Sequence, residues 1–172
     1  YTLHYRHLDS ARVKSGVDFR SIRFPGLISA LTVPSGGTSD YAPEMLHAAA
    51  AGKPCTCFVR PETRIPFMAM TDAIRALILL ERADGDRLSQ RVYNINAFSL
   101  SAAELRDIIK VAFPNCDVTF ARDAARASIV DTWPAQVDDS RARADWDWRP
   151  MHDKTTAFSK HLIPAISARY NG

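Results

Sequence analysis

A chain of 172 residues is about one domain long, and 47% hydrophobic with 24% charged residues is the composition of a globular protein rather than a disordered one. The net charge of +3, from 22 basic and 19 acidic residues, is interspersed along the chain and forms no basic stretch with aromatic platforms, which argues against a nucleic-acid partner. No apolar run approaches a membrane span, the densest being Ala76 to Leu80, and the His-, Arg- and Tyr-rich start carries no secretory pattern. Cys55, Cys57 and Cys116 make no disulfide framework, and the five histidines lack zinc-ligand spacing. Free thiols in a reducing compartment, and no metal, are the expectation.

In chain order, residues 2–14 read as weakly helical. Val17 to Phe24 is β-rich and stops at Pro25-Gly26. Pro34 to Gly37 is a loop. A helix is predicted from Asp40 to Ala51, with Thr38, Ser39 or Asp40 as N-cap, Pro43 tolerated in the first turn and Gly52 at the end. Cys55–Val59 and Ile65–Met70 read as strands. The helix Thr71–Arg82 places Ile74, Leu77 and Ile78 on one face and stops at Asp84-Gly85. Arg91–Ile95 is a strand. Ser101-Ala102-Ala103-Glu104 is a capping box, with Leu100 and Leu105 as its hydrophobic staple, and Leu105, Ile108, Ile109 and Ala112 continue the stripe. Asp117–Ala121 is a strand, Asp139–Trp146 a short helix and Thr155–Arg169 a longer one. This alternation predicts an α/β fold.

Several chemistries have no motif here. With seven glycines there is no Gly-x-Gly-x-x-Gly loop after a strand, and there is no Gly-x-Ser-x-Gly, His-Glu-x-x-His or Walker loop. Three features remain. Arg23 to Ser29 feeds a strand into a Pro-Gly turn, which either ends the strand or exposes amides where α/β proteins bind ligands. Ser35 to Asp40 runs small residues into a helix start, which either caps the helix or offers amides to an anion. Trp133, between Thr132 and Pro134, is either a core anchor or a side chain that closes over a ligand. Trp146 and Trp148 read as packing, and the lone His47 on an Ala-rich helix reads as structural.

In this order the features resemble a known family. Gly16 to Ser29, with Arg20-Ser21-Ile22-Arg23-Phe24-Pro25-Gly26 at its centre, resembles the strand and turn after the catalytic helix of extended short-chain dehydrogenases, and more narrowly of the L-threonine 3-dehydrogenase branch. Gly36-Gly37-Thr38-Ser39-Asp40-Tyr41-Ala42 is similar to that branch's substrate loop. Thr63 to Asp72, Tyr93-Asn94-Ile95, Thr132-Trp133-Pro134 and Asp138 to Trp148 are similar to its later segments. The resemblance implies a Rossmann domain joined to a smaller C-terminal substrate domain. It places residues 1–30 at the end of the first, and 31–172 mainly in the second with returning Rossmann elements. It implies NAD as cofactor, L-threonine as substrate, a homodimer, and an intracellular site, mitochondrial in a eukaryote and cytoplasmic in a bacterium. The oxidation product is 2-amino-3-oxobutyrate. The family's base is a Tyr-x-x-x-Lys pair, and this chain departs from it: Tyr1 is followed by Tyr5, so no catalytic residue carries over. Pro25, Gly26 and Leu27 carry over toward the nicotinamide, and Gly37, Thr38 and Trp133 toward the substrate. Two alternatives stay open. One is a truncated remnant acting as a binding or oligomerisation module, and the other is a nucleotide-sugar epimerase or dehydratase.

Overall fold

The protein is described here from a computed structural model of residues 18–171. The helix expected over 2–14 lies outside the described residues. Strand β1 (Ser21–Arg23) is shorter than the sequence suggests. Pro25 interrupts it, but Gly26 does not end β-structure: it opens β2 (Gly26–Ile28), which pairs in a different sheet. Close approach requires that glycine, because a Cβ there would lie 2.7 Å from the Phe67 ring.

Helix α1 (Tyr41–Ala50) carries Pro43 in its first turn, where a missing N–H costs nothing. Gly52 leaves it with φ +64°, and Lys53 N–H closes onto Ala48 O at 2.9 Å. Strands β3 (Cys55–Cys57) and β4 (Arg64–Ala69) follow, each shifted slightly from its expected range. Pro66 is tolerated in β4 because it lies one residue outside the register with β2, which begins at Phe67. Helix α2 (Met70–Arg82) runs on directly. Then come β5 (Val92–Asn94) and β6 (Phe98–Ser101), a strand the sequence reading did not separate from the helix that follows.

Helix α3 (Ala102–Ala112) starts as its sequence dictates. Ser101 Oγ accepts from Glu104 N–H at 3.2 Å, and Glu104 Oε2 accepts from Ser101 N–H at 2.7 Å. Leu100, Leu105 and Ile109 are fully buried together. Strand β7 (Val118–Phe120) and helices α4 (Ala124–Val130) and α5 (Ser140–Trp146) lead to the C-terminal helical stretch. That stretch comprises α6 (Lys154–Thr156), a π-helical turn Ala157–Leu162 and α7 (Ile163–Asn171). Helix α4 occupies a segment where the sequence pattern is weak.

The strands form three small sheets: β1 with β5, parallel; β2 and β6 on either side of β4, parallel and antiparallel; and β3 with β7, parallel. Two cores hold them. The larger joins α1, α3 and the terminal helices through Tyr41, Leu46, Phe67, Leu105 and Ile166. The smaller gathers Met68, Ala76, Leu80, Tyr93, Trp146 and Trp148. Trp146 and Trp148 therefore pack as expected, and buried His47 is structural, its ring bonded to Ser29 O and the Tyr170 hydroxyl, each at 3.0 Å.

Ile74, Leu77 and Ile78 share a face of α2, as the sequence places them, and at 52%, 52% and 45% exposed that face points outward. The buried face is Ala73, Ala76 and Leu80, because the small alanines let α2 lie close on the sheet while the larger side chains point away.

Candidate functional site

Parallel β1 and β5 end side by side, with Arg23 opposite Asn94. Ligands of open α/β sheets bind outside such carboxyl ends. Two cavities open there and share Phe24 and Pro25. The first, about 340 Å³, is bounded by Leu27, Ser29, Ser35, Asp40 and Met70. The second, about 430 Å³, is bounded by Arg23, Asn94, Trp133, Gln136 and Asp138.

The expected cofactor residues meet at this junction. Pro25 lines both cavities and Leu27 the first, while Gly26 is buried between them in sequence, under the Phe67 ring. Trp133 is half-buried, packs against the larger core and lines the second cavity, so it is at once an anchor and a wall. Gly37 and half-buried Thr38 sit in the loop beside the first cavity but do not line it.

That loop is organised differently from the sequence reading. Asp40 is the residue before α1, yet its side chain does not cap the helix. Its Oδ2 instead accepts from Ser35, Gly36 and Gly37 N–H at 3.2, 3.1 and 2.7 Å. The amides that might have met an external anion are thus satisfied within the chain. Gly36 adopts φ +94°, which only glycine reaches without strain. Arg126 steadies the same loop: it lies 3.5 Å over the Phe58 ring, pairs with Glu44 at 3.0 Å and reaches Gly37 O.

Behind β5, Asp145 Oδ2 accepts from Ser89 N–H at 2.9 Å, Ser89 Oγ at 2.6 Å and the Tyr93 hydroxyl at 2.6 Å. Burial pushes the Asp145 carboxyl up, but the bonds from Ser89 and Tyr93 outweigh it and hold the group below the usual carboxylate range. Burial, with Asp145 beside it, pushes the Tyr93 phenol up to about 12. Burial likewise pushes the Cys57 thiol up to about 11, which makes it inert rather than nucleophilic.

The sequence motifs contain Arg23, Phe24, Asn94 and Asp138 but assign none of them a role in the site. Their signal was position: Arg23 and Asn94 are the last residues of their strands, and Asp138 precedes a helix. Among the described residues no cluster of His, Cys, Asp and Glu is arranged to hold a metal ion. No helix there is long and apolar enough to cross a membrane.

The mixed α/β architecture and its parallel strands match those of the carboxyl-terminal portion of extended short-chain dehydrogenases. Within that class the chain is similar to threonine dehydrogenases. It is 42% identical over 138 residues to the mitochondrial L-threonine 3-dehydrogenase of Bos taurus, covering 80% of this chain and 36% of that protein. It is 39% identical over 157 residues to an uncharacterised epimerase/dehydratase of Staphylococcus saprophyticus, covering 91% and 49%. The L-threonine dehydrogenase of Clostridium difficile superposes with a TM-score of 0.88 at 34% identity, covering 99% of this chain and 53% of that one. The holo form of the GalE-like L-threonine dehydrogenase of Cupriavidus necator gives 0.81 at 42%, covering 89% and 48%. No family model matches the chain. The chain spans between about a third and a half of the length of these curated relatives.

Proposed function

We propose that this chain forms the substrate-facing part of an NAD-dependent L-threonine 3-dehydrogenase, which oxidises the threonine hydroxyl to give 2-amino-3-oxobutyrate. The observation that carries this reading is the convergence of Pro25, Leu27 and Trp133 on two adjoining cavities at the strands' carboxyl ends, in a chain about 40% identical to threonine dehydrogenases. In this reading β1, α2 and β5 return to the dinucleotide-binding domain. The outward stripe Ile74, Leu77 and Ile78, and the edge of β1 that no strand pairs among the described residues, are the surfaces from which that domain continues. The rest is mainly the substrate domain.

The Pro25-Gly26-Leu27 backbone fits the nicotinamide end of NAD, because Gly26 keeps the strand flush against Phe67 and the turn open to both cavities. NAD, when bound, supplies the acceptor for the hydride. The chain's own residues do the rest of what falls to this half. Trp133 walls the site against water, and the Asp40-centred loop holds Gly37 and Thr38 in shape beside the substrate. The Tyr-x-x-x-Lys base is not in this chain, so the proton leaves through a group on another part of the enzyme. A homodimer and an intracellular site follow from the same resemblance.

The test is a chimaera joining the N-terminal half of the Cupriavidus necator enzyme to this chain. Formation of NADH from L-threonine is the expected result. A folded chimaera that binds NAD, leaves threonine untouched and epimerises a nucleotide sugar would overturn the reading.

A further inference from the structure

The loop that leaves β2 supplies one wall of the first cavity, through Ser29, Thr32, Val33, Pro34 and Ser35. Its own packing holds it weakly: Leu31 and Val33 are 75% and 52% exposed. Its internal bonds gather on Ser29 Oγ, which accepts from Leu31 and Thr32 N–H at 3.2 and 3.1 Å. Asp40 fixes the far end by taking the amides of Ser35 to Gly37. The near end is fixed by residues far away in sequence.

Two pins come from α7. Arg169 Nη1 donates to Leu31 O at 2.7 Å, across 138 positions of sequence. Tyr170 acts through His47 of α1. A carbonyl oxygen only accepts, so the 3.0 Å contact of His47 Nε2 with Ser29 O puts the ring proton on Nε2. Nδ1 of the neutral ring then accepts from the Tyr170 hydroxyl, also at 3.0 Å. The two rings meet edge to face, 5.8 Å apart at 82°. Both pins stand on the core. His47 is 4% exposed, and fully buried Ile166 lies three and four residues before Arg169 and Tyr170, on the same face of α7.

We infer that α7 is a clamp on this loop, with Arg169, Tyr170 and His47 as positioning residues that set the wall of the first cavity before anything binds. An exposed loop opens locally at little cost, whereas helices packed on a core open only with it. Bonding the Ser29 and Leu31 carbonyls to α1 and α7 therefore gives the loop a share of the core's stability. A wall already in place lowers the ordering cost of binding, which is read in KM rather than in kcat. That kinetic consequence rests on the dehydrogenase reading; the state of the loop does not.

The experiment uses the chimaera. Arg169→Gln and Tyr170→Phe each remove one pin at an exposed position, so both should melt close to the parent. Deuterium uptake, read by mass spectrometry over residues 28–34, should be faster in both, with uptake over β4 unchanged. The KM for L-threonine should rise roughly three- to tenfold, the factor that one net hydrogen bond carries, with kcat little altered. His47→Leu should do the same, whereas His47→Gln, which keeps a donor for Ser29 O, should recover most of the parent's KM. Should His47→Leu fail to fold, Tyr170→Phe tests the same link. Uptake over 28–34 equal to the parent's in both exposed variants would overturn the clamp. So would faster uptake with an unchanged KM, or a loss confined to kcat. Faster uptake in the variants of a chimaera that leaves threonine untouched would keep the clamp and overturn the dehydrogenase reading.

Discussion

Replacing Asp145 by alanine should be among the most destabilising single changes in the chain. The carboxylate is 8% exposed and receives three hydrogen bonds, two from Ser89 and one from the fully buried Tyr93 hydroxyl. Each bond to a charged acceptor is worth about 1.5–3 kcal/mol, and the three are not additive because they share one oxygen. The buried phenol would be left without an acceptor, so a total of about 3–5 kcal/mol is expected. For a chain of this size that corresponds to a fall in Tm of roughly 6–20 °C. Asp145→Asn keeps an oxygen but loses the charge, and should cost about half as much. The pH dependence has a definite sign. The folded-state pKa of Asp145 lies below its unfolded value, so its contribution is present above the ordinary carboxylate range and fades as pH falls through the depressed folded value. Thermal melts of parent and Asp145→Asn should therefore diverge near neutral pH and converge on acidification. Equal melting temperatures near neutral pH, or a gap that widens in acid, would refute the reasoning.

Four further outcomes are expected. Ser101→Ala should cost about 1 kcal/mol by urea unfolding, since it removes one half of the capping box of α3. Leu77→Gln, on the outward face of α2, should change stability by no more than about 0.5 kcal/mol, whereas Leu80→Ala on the buried face should cost about 2–5 kcal/mol; the reverse order would put the wrong face inward. The 172 residues alone should form no NADH from threonine, because a positioned general base contributes roughly 10²–10⁴ in rate and the family's pair is not in this chain; robust turnover would demand a base among the residues present. In the chimaera, Trp133→Ala should cost about 1–3 kcal/mol, below a fully buried aromatic, and should also lower kcat/KM of the folded fraction; a melting shift with unchanged specific activity would leave Trp133 as an anchor only.

The local chemistry of this chain determines much of its structure by itself. The capping box at Ser101 and Glu104, the Pro43 start and Gly52 stop of α1, and the inward Trp146 and Trp148 are all legible because each depends on neighbours within a few residues. The motif at Arg23 to Ser29 and the loop at Gly36 to Ala42 likewise announce a family, since their residue types serve one backbone path. Four things were settled only in the folded chain. The inward face of α2 could not be read from hydrophobicity, because the close approach of Ala73 and Ala76 to the sheet outweighed the larger stripe opposite. The split at Pro25 into strands of two different sheets depends on Gly26 lying under Phe67, some forty residues away in sequence. The meeting of Arg23 and Asp138 on the wall of one cavity joins residues far apart in the chain, and the filling of the Ser35–Gly37 amides by Asp40 depends on how a loop turns back on itself. Periodicity and turn chemistry are short-range, so they set elements and their ends; which residues meet around a cavity is fixed only when distant elements have packed.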